Sequence, residues 1–134
     1  MDQITTDQLN TLATQFLDMG NAILAFRENT AGISPGDDAE LEQLQNELLD
    51  KAGELATMAA IASGPAAAAA VASLAQVNDQ ITQSLQSLAD VQKAIDIATA
   101  AVKVVVSVIS MNPGNIVDAI GGLTSTCNIK LPSL

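Results

Sequence analysis

Leu9, Leu12, Phe16, Met19, Ile23 and Phe26 follow one another at steps of 3, 4, 3, 4 and 3 residues, which sets all six on one narrow stripe of an α-helix. The residues just before them supply a start. Thr5 and Gln8 can exchange hydrogen bonds with the free amides of a first turn, and Ile4 and Leu9 stand where a hydrophobic staple closes it. The pattern predicts a first helix from about Thr6 to about Thr30, stopped by Gly32.

A second start follows at Ser34-Pro35, with Asp37 and Asp38 facing the positive end of the helix dipole. Leu41, Leu44, Leu48, Ala52, Leu55, Ala59 and Ala62 continue the seam, so the second helix is expected over about 35–63. Proline inside a helix removes a hydrogen bond and clashes with the preceding turn, so Ser63-Gly64-Pro65 reads as a sharp helical hairpin with Ser63 as the new cap, a kinked continuous helix being the alternative.

From Ala66 to Met111 there is neither Gly nor Pro, and Val71, Leu74, Val77, Ile81, Leu85, Leu88, Val91, Ile95, Ala98, Val102, Val105 and Ile109 carry the seam throughout. One long third helix is expected over about 66–111. Asn112-Pro113-Gly114-Asn115 has the composition of a type II turn, followed by a short helix at about 116–120 and an apolar tail over 123–134. The fold class is therefore all-α: a single domain, 1–134, forming an elongated antiparallel helical bundle. Its parts are a long helical hairpin, an N-terminal helix and a short C-terminal helix.

The expected lengths do not match. At 1.5 Å per residue the three helices run roughly 38, 44 and 68 Å, so the third overhangs the bundle by about 25 Å beyond Lys93. The overhang, Ile95 to Met111, is apolar on nearly every face, and such a helix must be surrounded by protein or lipid. This points to a non-enzymatic protein acting by self-association or partner-helix packing through the 95–111 segment and the C-terminal tail. Ile95, Val102, Val105, Val106, Ile109, Ile116 and Ile120 are its candidate interface residues, and the expected partner is a second copy or another helical protein.

Composition removes several alternatives. Fifteen acidic residues against five basic ones give a net charge of −10, and the chain has no His, Tyr or Trp and a single Cys. His-based catalysis, a His-ligated metal and an internal disulfide all lack their residues, and no cofactor or metal is expected. Arg27, Lys51, Lys93, Lys103 and Lys130 are scattered with no aromatic beside them, so nucleic acid is not an expected partner.

Charge placement raises a second reading. Residues 1–54 hold eleven acids and two bases, whereas 55–78 hold no charge. An uncharged hairpin tip, with Leu55, Met58, Ile61, Val71 and Leu74 as its apolar residues, or else the Val-rich 97–109 segment, could enter a membrane after assembly in the manner of a pore-forming protein. Autonomous insertion is disfavoured: the Val and Ile of the 97–109 segment contribute about −3 kcal/mol in total, and Lys103 cancels that with about +3. The N-terminus shows no basic and apolar leader, so a cytoplasmic location is the default expectation, though leaderless export leaves no mark.

The remaining chemical candidates have ordinary explanations. Lys103 and Ser107 stand four apart, as a Ser–Lys nucleophile pair could, but a lysine reaching out of an apolar stripe accounts for them. Asp37, Asp38, Glu40 and Glu42 match no calcium loop and suit a helix N-terminus. Asp96 is expected to pair with Lys93, and Cys127 to be a partly buried thiol.

Overall fold

The computed structural model describes residues 3–87 and 90–129. In order they form β1 (Gln3–Ile4), α1 (Thr6–Asn29), α2 (Pro35–Ala56), β2 (Ile61–Ala62), α3 (Pro65–Gln86), α4 (Val91–Ile109) and α5 (Pro113–Thr126). The chain is an all-α helical bundle, with 81% of the described residues helical.

The first helix starts as its residues dictate. The Gln8 amide donates to Thr5 Oγ1 at 3.1 Å and the Thr5 amide donates to Gln8 Oε1 at 2.9 Å, while Ile4 and Leu9 are fully buried beneath the box. Ser34 caps α2 by accepting from the Asp37 amide at 3.2 Å, with Pro35 in the first turn.

Beyond that the expected boundaries shift. The second helix ends at Ala56, seven residues short of the expected 63, because Thr57 closes it and the chain turns extended at Ile61–Ala62 to pair antiparallel with Gln3–Ile4. The register is Gln3 with Ala62 and Ile4 with Ile61. Gly64, at φ +82°, rather than Ser63 occupies the cap position of α3, a backbone state that favours glycine. No simple hairpin of the second and third helices results, since α3 packs on α1 instead of α2.

The long third helix is divided. α3 stops at Gln86 and α4 starts at Val91, where Asp90 accepts from the Gln92 and Lys93 amides at 3.0 and 3.3 Å. Ser87 aids the stop, its hydroxyl bonding back to the Gln83 carbonyl at 3.1 Å. Interrupting a helix forfeits a few hydrogen bonds worth about 1 kcal/mol each, some of which the Asp90 cap restores. The return buries Ile95, Ile97, Val102, Val104, Val105 and Val108, each contributing about 1.5–3 kcal/mol, so burial wins. Leu88 of the expected seam lies outside the described residues, as does Leu131 of the expected tail.

Asn112-Pro113-Gly114-Asn115 is a helix start instead of a type II turn: Asn112 accepts from the Asn115 amide at 3.1 Å and Pro113 opens α5. The short helix expected at 116–120 accordingly extends over Pro113–Thr126 and contains both Gly121 and Gly122.

The helices close a ring in the order α1, α2, α4, α5, α3 and back to α1, so α4 passes over from α3 to lie against α2. One hydrophobic core fills the ring, from Ile4 through Phe16 and Leu74 to Val105 and Leu123. Total exposed surface is 6464 Å², close to the roughly 6,600 Å² that a compact chain of this mass exposes. The overhang of about 25 Å expected from helical rise is therefore absent.

Candidate functional site: a groove between the last two helices

α4 is apolar on more than one side, and its two neighbours cover only part of it. Ile95, Ala98, Val105 and Val108 are buried in the core, and α2 and α5 flank them. The reverse side carries a second series at helical steps: Asp96, Thr99, Lys103, Val106 and Ser110. Beside it the outward residues of α5, Asn115, Asp118, Ala119, Gly122 and Thr126, form a facing wall. Between them runs a groove of about 740 Å³, with Ala100, Ala119 and Gly122 keeping its floor low and Val102 and Val106 giving it apolar surface.

The hairpin that makes the groove is held at both ends. At one end the Lys93 ammonium donates to the Thr126 carbonyl at the last turn of α5, where the negative end of the helix dipole favours a cation. At the other, Met111 turns the chain at φ +60° before Asn112 caps α5.

Charge in the groove is sparse and unevenly engaged. Asp96 accepts from Gln92 Nε2 at 3.0 Å, and Lys93 turns to Thr126, so the expected Lys93–Asp96 pair is not formed. Arg27 pairs with Asp38 and Glu42, and Lys51 with Glu54, which leaves Lys103 as the cation with no hydrogen-bond or ion-pair partner among the described residues. Asp118 stands on the opposite wall.

The structure redistributes the expected interface residues. Ile95, Val105, Ile116 and Ile120 are packed in the chain's own core, and Ile109 is half-buried against it. Val102 is 8% exposed at the edge of the groove, and Val106, 45% exposed, is the one of the seven that presents itself to solvent. A straight third helix has no neighbour beyond Lys93; the end of α3 at Gln86 and the new start of α4 at Val91 supply neighbours. Of the expected membrane tip, Leu55, Ile61, Val71 and Leu74 are buried and Met58 is half-buried against the core. No helix among the described residues is long and apolar enough to cross a membrane.

The other chemical candidates resolve into local structure. The Ser107 hydroxyl donates to the Lys103 backbone carbonyl at 2.8 Å, so it is not directed at the ammonium. Asp38 and Glu42 accept from the Arg27 guanidinium at 2.9 and 3.2 Å, and Gln45 Oε1 receives a further bond at 2.9 Å. No group of three or more metal-ligating side chains occurs among the described residues. Cys127 is half-buried, and burial pushes its thiol pKa up despite the nearby Lys93 charge.

Sequence reasoning missed the groove-side series. Its signal was present, because Asp96 and Lys103 are seven residues apart and so share a helix face two turns apart, but an apolar run all round the helix masks a second seam. Ala119 and Gly122 could not be assigned to it without the length of α5. Compared with family models, with curated proteins and with solved structures, the chain has no match.

Proposed function

We propose that this protein is a non-enzymatic helical module that works by packing a further helix against the outer face of α4 and α5. The observation that carries the reading is the groove itself: apolar, floored by small residues that let a helix backbone approach closely, and bordered by an exposed valine. The expected overhang no longer supports it; the reverse face of the same α4 segment does. A membrane role through the 55–78 tip draws no such support, since Leu55, Ile61, Val71 and Leu74 are packed in the core.

Val106→Glu tests the reading, because Val106 is exposed and its replacement leaves the core intact. The wild-type chain is expected to sediment above its 13.7 kDa monomer mass at tens of micromolar. Val106→Glu is expected to return it to monomer with unchanged circular dichroism. Val105→Glu is the contrasting control: it places a charge at a fully buried position and unfolds the chain. A strict monomer at these concentrations, or a Val106→Glu protein of unchanged mass, overturns the reading.

A further inference from the structure

We infer that the occupant of the groove is a second copy of this chain, with the two α4 helices packed antiparallel about a two-fold axis and each Lys103 set against Asp96 of the other copy. The inference rests on the association reading above and gives it a partner and a register.

Three observations lead to it. First, the pattern is self-complementary. Asp96 and Lys103 lie seven residues apart on one face of α4, which is about 10.5 Å along the axis. An antiparallel copy that crosses between Thr99 and Ala100 brings Asp96 level with Lys103 of the second copy, and the two-fold axis repeats the pairing at the other end. Secondly, the small residues are where this crossing needs them. Thr99 and Ala100 lie at its centre, and Ala119 and Gly122 on α5 leave room for the incoming helix, since a Cβ added at Gly122 would meet nothing within 4 Å.

Thirdly, the charge of the whole chain singles out α4. α2 carries seven acids and one lysine, and α1, α3 and α5 each carry more acid than base, whereas α4 has two lysines against one aspartate. Two chains of net charge −10 repel least where acids are fewest, and the groove lining holds only Asp96 and Asp118 against Lys103, far less acid than α2 presents. Lys103, the cation left without a partner among the described residues, then gains one, and Val106 of each copy is covered. Exposed charge pairs of this kind select orientation and register more than they add affinity.

Charge reversal provides the test. Asp96→Lys leaves two lysines on the face and Lys103→Asp leaves two aspartates, so each variant alone sets like charges together twice across the two-fold axis. Each is expected to dimerise about tenfold more weakly than wild type, equivalent to about 1.4 kcal/mol. An equimolar mixture is expected to form a heterodimer within about threefold of wild-type affinity on the same scale, because each lysine then meets an aspartate. Sedimentation equilibrium gives the affinities, and circular dichroism checks that each variant folds. Should a reversal fail to fold, the neutral variants Asp96→Asn and Lys103→Gln replace it, each expected to weaken the dimer two- to threefold. A wild-type chain that associates, loses association with Val106→Glu and ignores both reversals overturns the antiparallel register and leaves the association reading standing. A monomeric wild type overturns both. Reversals that weaken the dimer without rescue on mixing also overturn the register.

Discussion

Met111 turns the chain between α4 and α5 with φ +60°, a left-handed conformation that costs a residue with a Cβ about 1–2 kcal/mol. Its side chain is 57% exposed and so gives little packing in return. Met111→Gly removes the steric cost and adds some chain entropy to the unfolded state. It is expected to raise stability by about 0.5–1 kcal/mol, read as a higher urea midpoint at unchanged slope. An exception to ordinary side-chain satisfaction lies between α1 and α3. Asn78 Nδ2 donates to Gln15 Oε1 at 3.0 Å and Gln15 Nε2 donates to the Ala75 carbonyl at 2.9 Å, while Asn78 Oδ1 is buried with no partner among the described residues. A polar pair at this place sets the rotation of α3 against α1.

At the scale of elements, the decisive event is the end of α3 at Gln86 and the new start of α4 at Val91, because α4 reaches α2 only through it. Asp90 holds the new helix start with two backbone amides. Asp90→Ala is expected to cost about 1 kcal/mol, the usual loss for an N-cap, lowering the thermal midpoint while leaving the folded circular dichroism spectrum nearly unchanged. If α3 and α4 instead joined into one rod, the variant would gain helical signal and lose the packing of α4 on α2. The two short strands contribute differently: β1 and β2 pair over only two residues each, and their effect is to seat Ile4 and Ile61 in the core, with β1 beside α3.

Across the whole molecule, negative charge is concentrated in the first two helices, and one cation organises it. Arg27, near the end of α1, grips Asp38 near the start of α2 through two nitrogens, at 2.9 and 3.3 Å. The hydrogen bond from Arg27 holds the Asp38 carboxyl below the usual carboxylate range, outweighing the opposing effect of desolvation. A depressed carboxylate pKa contributes stability that is complete above the unfolded value, about 3.9, and is lost as pH falls through the folded one. The thermal midpoint is therefore expected to fall between pH 5 and pH 2. Asp38→Asn should lower it at pH 7 and change it little at pH 2; an equal loss at both would show that the link carries no proton dependence.

Local order was legible in the residues themselves. The capping box at Thr5 and Gln8, the Ser34-Pro35 start and the stripe from Leu9 to Phe26 depend on neighbours within a turn or two, and those interactions do not need the rest of the chain. The all-α class follows from the same periodicity. The path of the chain was decided by tertiary structure, because Ser87 and Asp90 permit a helix stop without requiring one. Burial of the α4 valines and isoleucines outweighed the hydrogen bonds of an unbroken helix, as proximity to α2 and α5 alone could determine. The candidate site divides in the same way. Val106 was readable as an apolar residue left at the surface, but Ile95, Val105, Ile116 and Ile120 became core, and the face bearing Asp96 and Lys103 became an outer wall. An apolar side chain is equally suited to a core or to an interface; which of the two it enters depends on which helices close around it.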